Sequence, residues 1–426
     1  MQRKEKQAIK YQKMKNRKFS VLLVGFSDFG LGRGLYLAEA LSRLGLNVEI
    51  ITNDPIYSAN NRSRTNKFTN GKIKITELNL GFLRVLFSSV IGRLCIYLVL
   101  TFLYFLYMLK TPQESKILYS RGVHPFADFS CILYKRFNRN VKIISDVTDL
   151  WPDALEYIKM NRVLRRMLIA VGHSANHLIY SKIDAIVTLN AVMGKILQER
   201  FKRDVHVIYG AIDLDRFKPI DKKDALEVLP QEISSMVVGK FVVIYAGTMG
   251  PFQNPLVVVD IAEQIQNEHP DIIFVVIGYG PLKQELKNMV QRKSLSNILI
   301  LDGVPHELMP FIYNVADLTL LPPPLSSVPR MYEYFIVTLP KKFIEYAACG
   351  KPILCMTPPC VASKLCLEWK AGYHILPEDV QEAAGIIKVL KENRELKEKL
   401  GKNARRLAEE LFSIEHAAKI LKTVIE

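Results

Sequence analysis

The sequence predicts an α/β protein made of two Rossmann-like, doubly wound domains that face a cleft. The first reason is length, because 426 residues exceed the roughly 250–300 at which a single hydrophobic core stops growing. The second is a regular alternation of short apolar segments with amphipathic ones, as expected of buried parallel strands joined by helices. The third is that this alternation stops at a polar segment and then starts again, which indicates two sheets.

The first domain is predicted at residues 19–215, after a basic N-terminal arm at residues 1–18. Phe19–Gly25 is a wholly apolar strand, Leu35–Leu44 an amphipathic helix and Asn47–Thr52 a second strand, so the three form one βαβ unit. The later strands of this domain are predicted at Ile117–Ser120, Val141–Ser145, Ala185–Leu189 and Val205–Tyr209.

The polar segment Asp213–Asp224, which contains a proline, is interpreted as the linker. The second domain is predicted at residues 225–410, and residues 411–426 are predicted to form a C-terminal helix. Functional side chains are expected outside the carboxyl ends of the strands, where sheets of this kind bind their ligands. The strands are predicted at Lys240–Ala246, Ile272–Ile277, Asn297–Leu301, Leu318–Leu321 and Pro352–Met356.

The chain is basic, with a net charge of +16. This balance indicates either an anionic partner, such as a phosphorylated ligand, a membrane surface or a nucleic acid, or a generally basic cytoplasmic protein. No nucleic-acid-binding module can be recognised, so nucleic acid is not an expected partner. The six cysteines fit no zinc pattern and are interpreted as free thiols in a reducing compartment.

Leu94–Leu109 is a segment of 16 residues without a charged side chain, bracketed by Arg93 and Lys110. As a helix it would be about 24 Å long, which is short of the ~30 Å hydrocarbon core of a bilayer. Two interpretations stay open. The segment is either a buried or half-buried helix of the first domain, or a helix that dips into one membrane leaflet.

Three glycine-containing turns follow predicted strands. At such places free backbone N–H groups and the dipole of the next helix favour an anion, and glycine lets a ligand approach the backbone. A plain tight turn is an equal alternative for the first of them, Gly25–Gly34. The residues expected to contribute are Gly32 and Arg33 in the first turn, Gly247, Thr248, Gly250 and Gln253 in the second, and Gly278 and Gly280 in the third.

The segment Pro340–Pro352 (PKKFIEYAACGKP) carries the strongest candidate site. Pro340 suits the start of a helix, whose first turn would then bring Lys342 within reach of a phosphate. Glu345 follows on the same helix face and is suited to accept two hydrogen bonds from a ribose diol. The alternative is a solvated lysine–glutamate pair on an ordinary surface helix.

Candidates for a second ligand lie in the first domain. Asp149 and Trp151 follow the strand that ends near Ser145, and His124 follows an earlier one. Because residues just past strand ends face the cleft, Asp146 or Asp149 is expected to contact an acceptor and His124 to line the cleft. Simple packing is the alternative for Trp151. His173 and His177 have the spacing of a metal-binding pair but no third ligand, so no metal site is predicted and they are assigned to the basic side of an amphipathic helix.

These motifs identify a family. The chain resembles the retaining glycosyltransferases of family 4 (glycosyl transferases group 1), which have the GT-B fold, and within them the branch that makes surface polysaccharides. The resemblance runs from about Phe19 to the C-terminus. The donor helix of that branch is matched by Pro340, Lys342, Glu345, Tyr346, Gly350 and Pro352, and its Asp-Leu-Trp-Pro element by Asp149–Pro152.

The resemblance implies transfer of a sugar from a nucleoside diphosphate, with retention of configuration and without a metal or another cofactor. Lys342 and Asp149 would be the catalytic residues, and Glu345 would hold the ribose. The acceptor would be a glycan or a polyprenyl-linked glycan, lying near Arg33 and Asp149. The basic arm and Leu94–Leu109 add a peripheral contact with anionic membrane, which predicts a cytoplasmic protein at the inner face of the cell membrane.

Some positions depart from the family pattern. The first of two glutamates that many members carry falls at Val337, and the basic residues of the second glycine turn are replaced by Gln253 and Asn254. Two alternatives therefore stay open beside the transferase: a nucleotide-sugar epimerase of the same fold, and a catalytically inactive member that binds nucleotide sugars.

Overall fold

The structure is a computed structural model that describes residues 20–26, 28–52, 73–78, 90–110, 115–121, 125–157, 160–326 and 335–426. The chain forms two compact units. The first ends at Ala211 and also includes Ile414–Glu426, and the second spans Ile212–Ser413. The predicted basic arm at residues 1–18 lies outside the described residues.

The first unit contains, within the described residues, a parallel sheet of seven strands in the order β3-β2-β1-β4-β5-β6-β7. Its strands are β1 (Ser20–Phe26), β2 (Asn47–Thr52), β3 (Ile73–Glu77), β4 (Ser115–Arg121), β5 (Lys142–Val147), β6 (Ala185–Thr188) and β7 (Val205–Val207). Its helices are α1 (Asp28–Arg43), α2 (Val90–Lys110), α3 (Pro125–Phe137), α4 (Arg162–Tyr180) and α5 (Ala191–Phe201). Strand β3 was not predicted, because two of the five residues in its sequence IKITE are charged and it lies at the sheet edge.

Alternate side chains of the strands fill cores on both faces of this sheet. Leu23 of β1 packs in the core that includes α1, whereas Leu22 packs in the core that includes α2, α3, α4 and α5. Segment Leu94–Leu109 lies in α2, and it is half-buried because every fourth side chain, from Ile96 to Met108, faces that core. None of the helices in the described parts of the chain is long and apolar enough to cross a membrane.

The first glycine turn is shorter than predicted. Helix α1 begins at Asp28, so Gly32 and Arg33 lie inside the helix and not in a loop. Among the described residues of this turn, Gly25 is the one with the left-handed conformation, at a φ of 85°, and a Cβ there would lie 2.8 Å from the Cβ of Ala127. Burial of the apolar side of α1 outweighs the low helix propensity of its glycines.

The second unit contains, in the described part of the chain, a parallel sheet of six strands in the order β10-β9-β8-β11-β12-β13. Its strands are β8 (Phe241–Ala246), β9 (Ile272–Ile277), β10 (Ile298–Leu301), β11 (Leu318–Leu321), β12 (Ile353–Met356) and β13 (Gly372–Ile375). Its helices are α6 (Lys222–Val228), α7 (Gln231–Val237), α8 (Val257–Ile265), α9 (Lys283–Arg292), α10 (Met309–Val315), α11 (Lys341–Ala348), α12 (Val361–Glu368), α13 (Val380–Glu392) and α14 (Arg394–Leu407).

The sequence predicted that the polar segment Asp213–Asp224 is the linker between the domains, but in the structure it is packed into one of them. It belongs to the second unit, where Phe217 is fully buried and the backbone N–H of Ile220 donates to Asn314 Oδ1 at 3.0 Å. The last helix, α15 (Ile414–Ile425), instead belongs to the first unit and packs against α1. The sequence pattern predicted this helix but not its partner.

Candidate functional site

Three glycines bring two turns of the second unit into direct contact at the carboxyl ends of β8 and β9. Gly247, Gly278 and Gly280 have φ values of 150°, 149° and 152°. A Cβ on Gly278 would lie 2.9 Å from the carbonyl carbon of Gly247, and the backbone N–H of Met249 donates to the carbonyl of Tyr279 at 2.8 Å. Only glycine allows this approach, so the strand ends present bare backbone.

Helix α11 aims Lys342 at the same turns. The lysine is buried, and a Cβ on Gly247 would lie 2.6 Å from its Cε. Its Nζ donates to Gln253 Oε1 and, at 3.2 Å, to the hydroxyl of Tyr245, and it lies 4.3 Å from the centre of the Tyr245 ring. The ammonium group therefore has neutral hydrogen-bond partners.

This environment disfavours the protonated form of Lys342 in the absence of a bound anion. Burial lowers its pKa from the ordinary value of 10.5 to about 7, and the charge of Glu345 only partly opposes that effect. A phosphate beside Nζ would supply the negative charge that Gln253 and Tyr245 lack.

Glu345 lies one turn further along α11 and is also buried. Its Oε2 accepts a hydrogen bond from the Tyr313 hydroxyl at 2.8 Å, and its Oε1 lies 3.3 Å from His306 Nε2 and 3.4 Å from Lys341 Nζ. Burial by itself raises the pKa of Glu345, but the hydrogen bond from His306 and the charge of Lys341 outweigh it and lower the pKa to about 2. The carboxylate is therefore ionised at neutral pH.

A neighbouring arginine determines how His306 meets this carboxylate. Arg216 Nη2 lies 2.8 Å from His306 Nδ1 and also donates to the His306 carbonyl at 2.9 Å. Because a guanidinium group can only donate, Nδ1 must accept, which leaves the proton on Nε2 to be donated to Glu345. The sequence analysis missed Arg216, His306 and Tyr313, since no local motif connects residues so far apart in the chain.

The remaining predicted residues of the second unit lie in the same turns. The Thr248 carbonyl accepts from the Tyr245 hydroxyl at 2.6 Å, and the Gly250 carbonyl accepts from the N–H of Gln253 at 3.0 Å. The structure thus gathers the whole predicted donor set around α11 and the ends of β8 and β9: Gly247, Thr248, Gly250, Gln253, Gly278, Gly280, Lys342 and Glu345.

In the first unit Arg33 forms a buried ion pair with Asp146. Its Nε and Nη2 donate to the two carboxylate oxygens at 2.8 Å each, and its Nη1 donates to the carbonyls of Ile208 and Tyr209. These bonds join α1, the end of β5 and the segment after β7. Arg33, which the sequence predicts to contact a phosphate or an acceptor, thus connects three segments of the first unit through its guanidinium.

A second arginine lies at the same edge. Arg121 ends β4, in register with Asp146 of β5. Burial lowers the pKa of Arg121, whereas the nearby carboxylates of Asp146 and Asp149 favour its charged form. Asp149 therefore belongs to a group of charged residues at the carboxyl ends of β4 and β5, where the sequence placed it.

Trp151 is held by α4. Asn176 Nδ2 donates to the Trp151 carbonyl at 2.7 Å, and a Cβ on Gly172 would lie 2.9 Å from the indole ring. The next acidic residue, Asp153, pairs with Arg200 at 2.7 Å and with His173 at 2.8 Å. His173 thus has a structural partner, and His124 lies outside the described residues.

Nowhere in the described ranges do three or more histidine, cysteine, aspartate or glutamate side chains form a group that could hold a metal ion.

Comparison with known proteins places this site in a family domain. Residues 231–407 match the model of the family "Glycosyl transferases group 1". This range contains the glycine turns of β8 and β9 as well as Lys342 and Glu345. The second unit therefore carries a glycosyl transferases group 1 domain.

Two curated proteins and one solved structure are similar to this chain. Spore coat protein SA of Bacillus subtilis (strain 168) is 25% identical over 279 residues, which are 60% of this chain and 68% of that protein. The UDP-Gal:alpha-D-GlcNAc-diphosphoundecaprenol alpha-1,3-galactosyltransferase of Escherichia coli is 32% identical over 129 residues, 29% of this chain and 32% of that enzyme. The crystal structure of Anabaena Alr3699/HepE in complex with UDP superposes with a TM-score of 0.68 at 14% identity, covering 96% of this chain and 99% of that one.

The structural likeness confirms the predicted fold class. Each unit is a Rossmann-like α/β domain with a parallel sheet, and the two together match GT-B glycosyltransferase structures.

Proposed function

We propose that the protein is a retaining glycosyltransferase of family 4 that moves a sugar from a nucleoside-diphosphate sugar to a glycan or a polyprenyl-linked glycan. The observation that carries the proposal is the pair formed by Lys342 and Glu345 on α11. One side chain is a buried ammonium group beside bare glycine backbone, and the other is a buried carboxylate that stays ionised. The ammonium group is suited to bind a diphosphate and the carboxylate to bind a ribose, and the two lie one helical turn apart on α11.

Glu345 is suited to bind the ribose. A carboxylate has about four acceptor positions, and two of its present partners are the buried Tyr313 and the half-buried His306. The third partner, Lys341, is largely exposed and free to move away. A ribose hydroxyl can take its place without leaving a buried charge unpaired.

Lys342 and the turn from Gly247 to Gly250 are suited to hold the diphosphate. When the sugar–phosphate bond breaks, negative charge develops on the leaving diphosphate. An ammonium group held beside it by the fold stabilises that charge. Gln253 would then release Nζ to the phosphate, since a charge-assisted hydrogen bond is stronger than one to a neutral amide.

The acceptor is assigned to the first unit, near Asp149, Trp151 and Gly32. Asp149 would contact the hydroxyl group that attacks the sugar, while Arg33 acts through Asp146 to position the sheet edge. The Escherichia coli relative is named for a lipid-linked acceptor, which supports the same acceptor class here. Such an acceptor would place the reaction at the inner, cytoplasmic face of the cell membrane.

Thermal stabilisation by a panel of nucleotide sugars tests the donor, and transfer to undecaprenyl-diphosphate-linked sugars tests the acceptor. Retention is read from the anomeric proton coupling of the product. The Lys342→Met and Glu345→Ala variants should lose both stabilisation and transfer. Conversion of the donor to its epimer without an acceptor would favour the epimerase, and binding without transfer to any acceptor would favour the inactive member.

A further inference from the structure

Helix α4 turns an apolar side outward. Val163, Met167, Val171 and Leu178 are exposed to 67%, 61%, 66% and 62%, where a surface helix ordinarily carries polar side chains. Leu164 and Leu168 are exposed as well. At 3.6 residues per turn, the six side chains fall within an arc of about 140° on the helix surface.

This exposure does not result from a detached helix. The opposite side of α4 is buried through Gly172, Asn176, Ile179 and Tyr180, and Asn176 is bonded to the Trp151 carbonyl. The N-terminus of the helix is also capped, because the side chain of Asn161 accepts hydrogen bonds from the N–H groups of Val163 and Leu164. The buried side thus includes a glycine and an asparagine beside Ile179 and Tyr180, while six large apolar side chains face outward.

Two neighbouring helices also expose large apolar side chains. Helices α2, α3 and α4 pack side by side on the same face of the first sheet. Leu98 and Phe102 of α2 and Phe129 and Phe137 of α3 are exposed there. Large apolar side chains grouped on exposed helices in this way are typical of an interaction surface.

The charge of the three helices identifies the partner. Their one acidic residue is Asp128, and its side chain is buried. Arg162 and Arg166 of α4 are exposed, and Arg166 borders the apolar arc. The basic residues of the three helices are Arg93, Lys110, Lys135, Arg136, Arg162, Arg165 and Arg166.

We propose that α4, with the outer sides of α2 and α3, docks the protein on an anionic lipid bilayer. The helix lies in the plane of the interface, with its apolar row among the acyl chains and Arg162 and Arg166 on lipid phosphates. A second copy of the chain fits less well, because pairing this face with itself would bring the exposed Arg162 and Arg166 of the two copies together. The proposal does not depend on the transferase reaction.

Sedimentation of the full chain with vesicles tests the proposal. At low ionic strength the protein should pellet with vesicles of phosphatidylcholine and phosphatidylglycerol, and less with vesicles of phosphatidylcholine alone. Met167→Glu/Val171→Glu should weaken this binding at least tenfold. The matched control is Leu367→Glu/Val389→Glu, which places the same charges at exposed apolar positions of the second unit and should leave vesicle binding unchanged.

A second variant addresses the basic residues. Arg162→Gln/Arg166→Gln keeps the apolar row and should lose most of the preference for anionic vesicles. If circular dichroism shows that the glutamate variant does not fold, this second variant tests the proposal in its place. Wild-type protein that stays in the supernatant, or variants that bind vesicles like the wild type, would overturn the proposal. A wild-type dimer that Met167→Glu/Val171→Glu converts to a monomer would overturn it in favour of an interface between copies.

Discussion

The side chain of Lys342 occupies the space in which any side chain at Gly247 would begin. A Cβ on Gly247 would lie 2.6 Å from Lys342 Cε and closer still to Nζ, and the φ of 150° at Gly247 is itself unfavourable for other residues. The glycine turn and the buried lysine therefore form one structure, and a change in either should displace the other.

Gly247→Ala should consequently disturb both stability and donor binding. The methyl group meets Lys342, and the backbone is strained, so we expect a loss of about 1–3 kcal/mol in the free energy of unfolding together with weaker binding of the nucleotide sugar. Chemical denaturation and calorimetry measure the two effects. Gly385→Ala is the control, because a Cβ at this helical glycine meets nothing within 4 Å. Wild-type affinity in Gly247→Ala would contradict the assignment of this turn to the diphosphate.

Replacement of Glu345 should reduce donor affinity selectively. Glu345→Ala removes the proposed acceptor of the ribose hydroxyls and should weaken binding by about 1.5–3 kcal/mol, the range for hydrogen bonds to a charged group. Glu345→Gln keeps the size of the side chain and should show most of the same loss. Glu382→Gln, at an exposed position of α13, is the control. If calorimetry gives the same affinity for all four proteins, Glu345 does not hold the ribose.

Donor binding should depend on pH through Lys342. In the free protein burial holds the pKa of Lys342 at about 7, and a bound diphosphate should raise it, since the anion favours the charged form. The favourable contribution is then fully present below pH 7 and declines as the pH rises through the pKa of the complex, so affinity should fall on the alkaline side. Glu345 stays ionised throughout, because its pKa is about 2.

Calorimetry in buffers of different ionisation enthalpy measures the proton taken up on binding. The wild type should take up a fraction of a proton above pH 7, and Lys342→Met should take up none. Equal uptake by both proteins would assign the titration to another group.

Asp146→Asn should destabilise the first unit without acting on the donor site. The substitution leaves Arg33 buried beside a neutral amide, and breaking a buried ion pair on one side costs about 3–5 kcal/mol. Urea unfolding measures this loss, with Glu368→Gln at the exposed pair with Lys364 as the control, for which we expect less than about 1 kcal/mol. An unchanged unfolding midpoint in Asp146→Asn would show that Arg33 is available for a ligand after all.

Local sequence was sufficient for most strands and for the core of the donor site. Strands β9 and β11 begin and end at the predicted residues, because each is a short, mainly apolar segment that follows an aspartate and precedes a glycine or a proline. Lys342 and Glu345 could be recognised because their relation is a helix spacing of three residues, set by the chain itself. Strands β3 and β13 were not predicted, because both lie at the edges of their sheets and their sequences show little apolar pattern.

The partners of these residues were decided by tertiary structure. His306 and Tyr313 lie 39 and 32 residues before Glu345, and Asp146 lies 113 residues after Arg33, so no local spacing connects them. The same is true of the side of α4 that faces outward. Its sequence shows an amphipathic helix, but only the packing of Gly172 and Asn176 against the Trp151 segment decides that the row from Val163 to Leu178 is exposed. Local patterns determine which elements form, whereas contacts between distant elements determine which face each element presents.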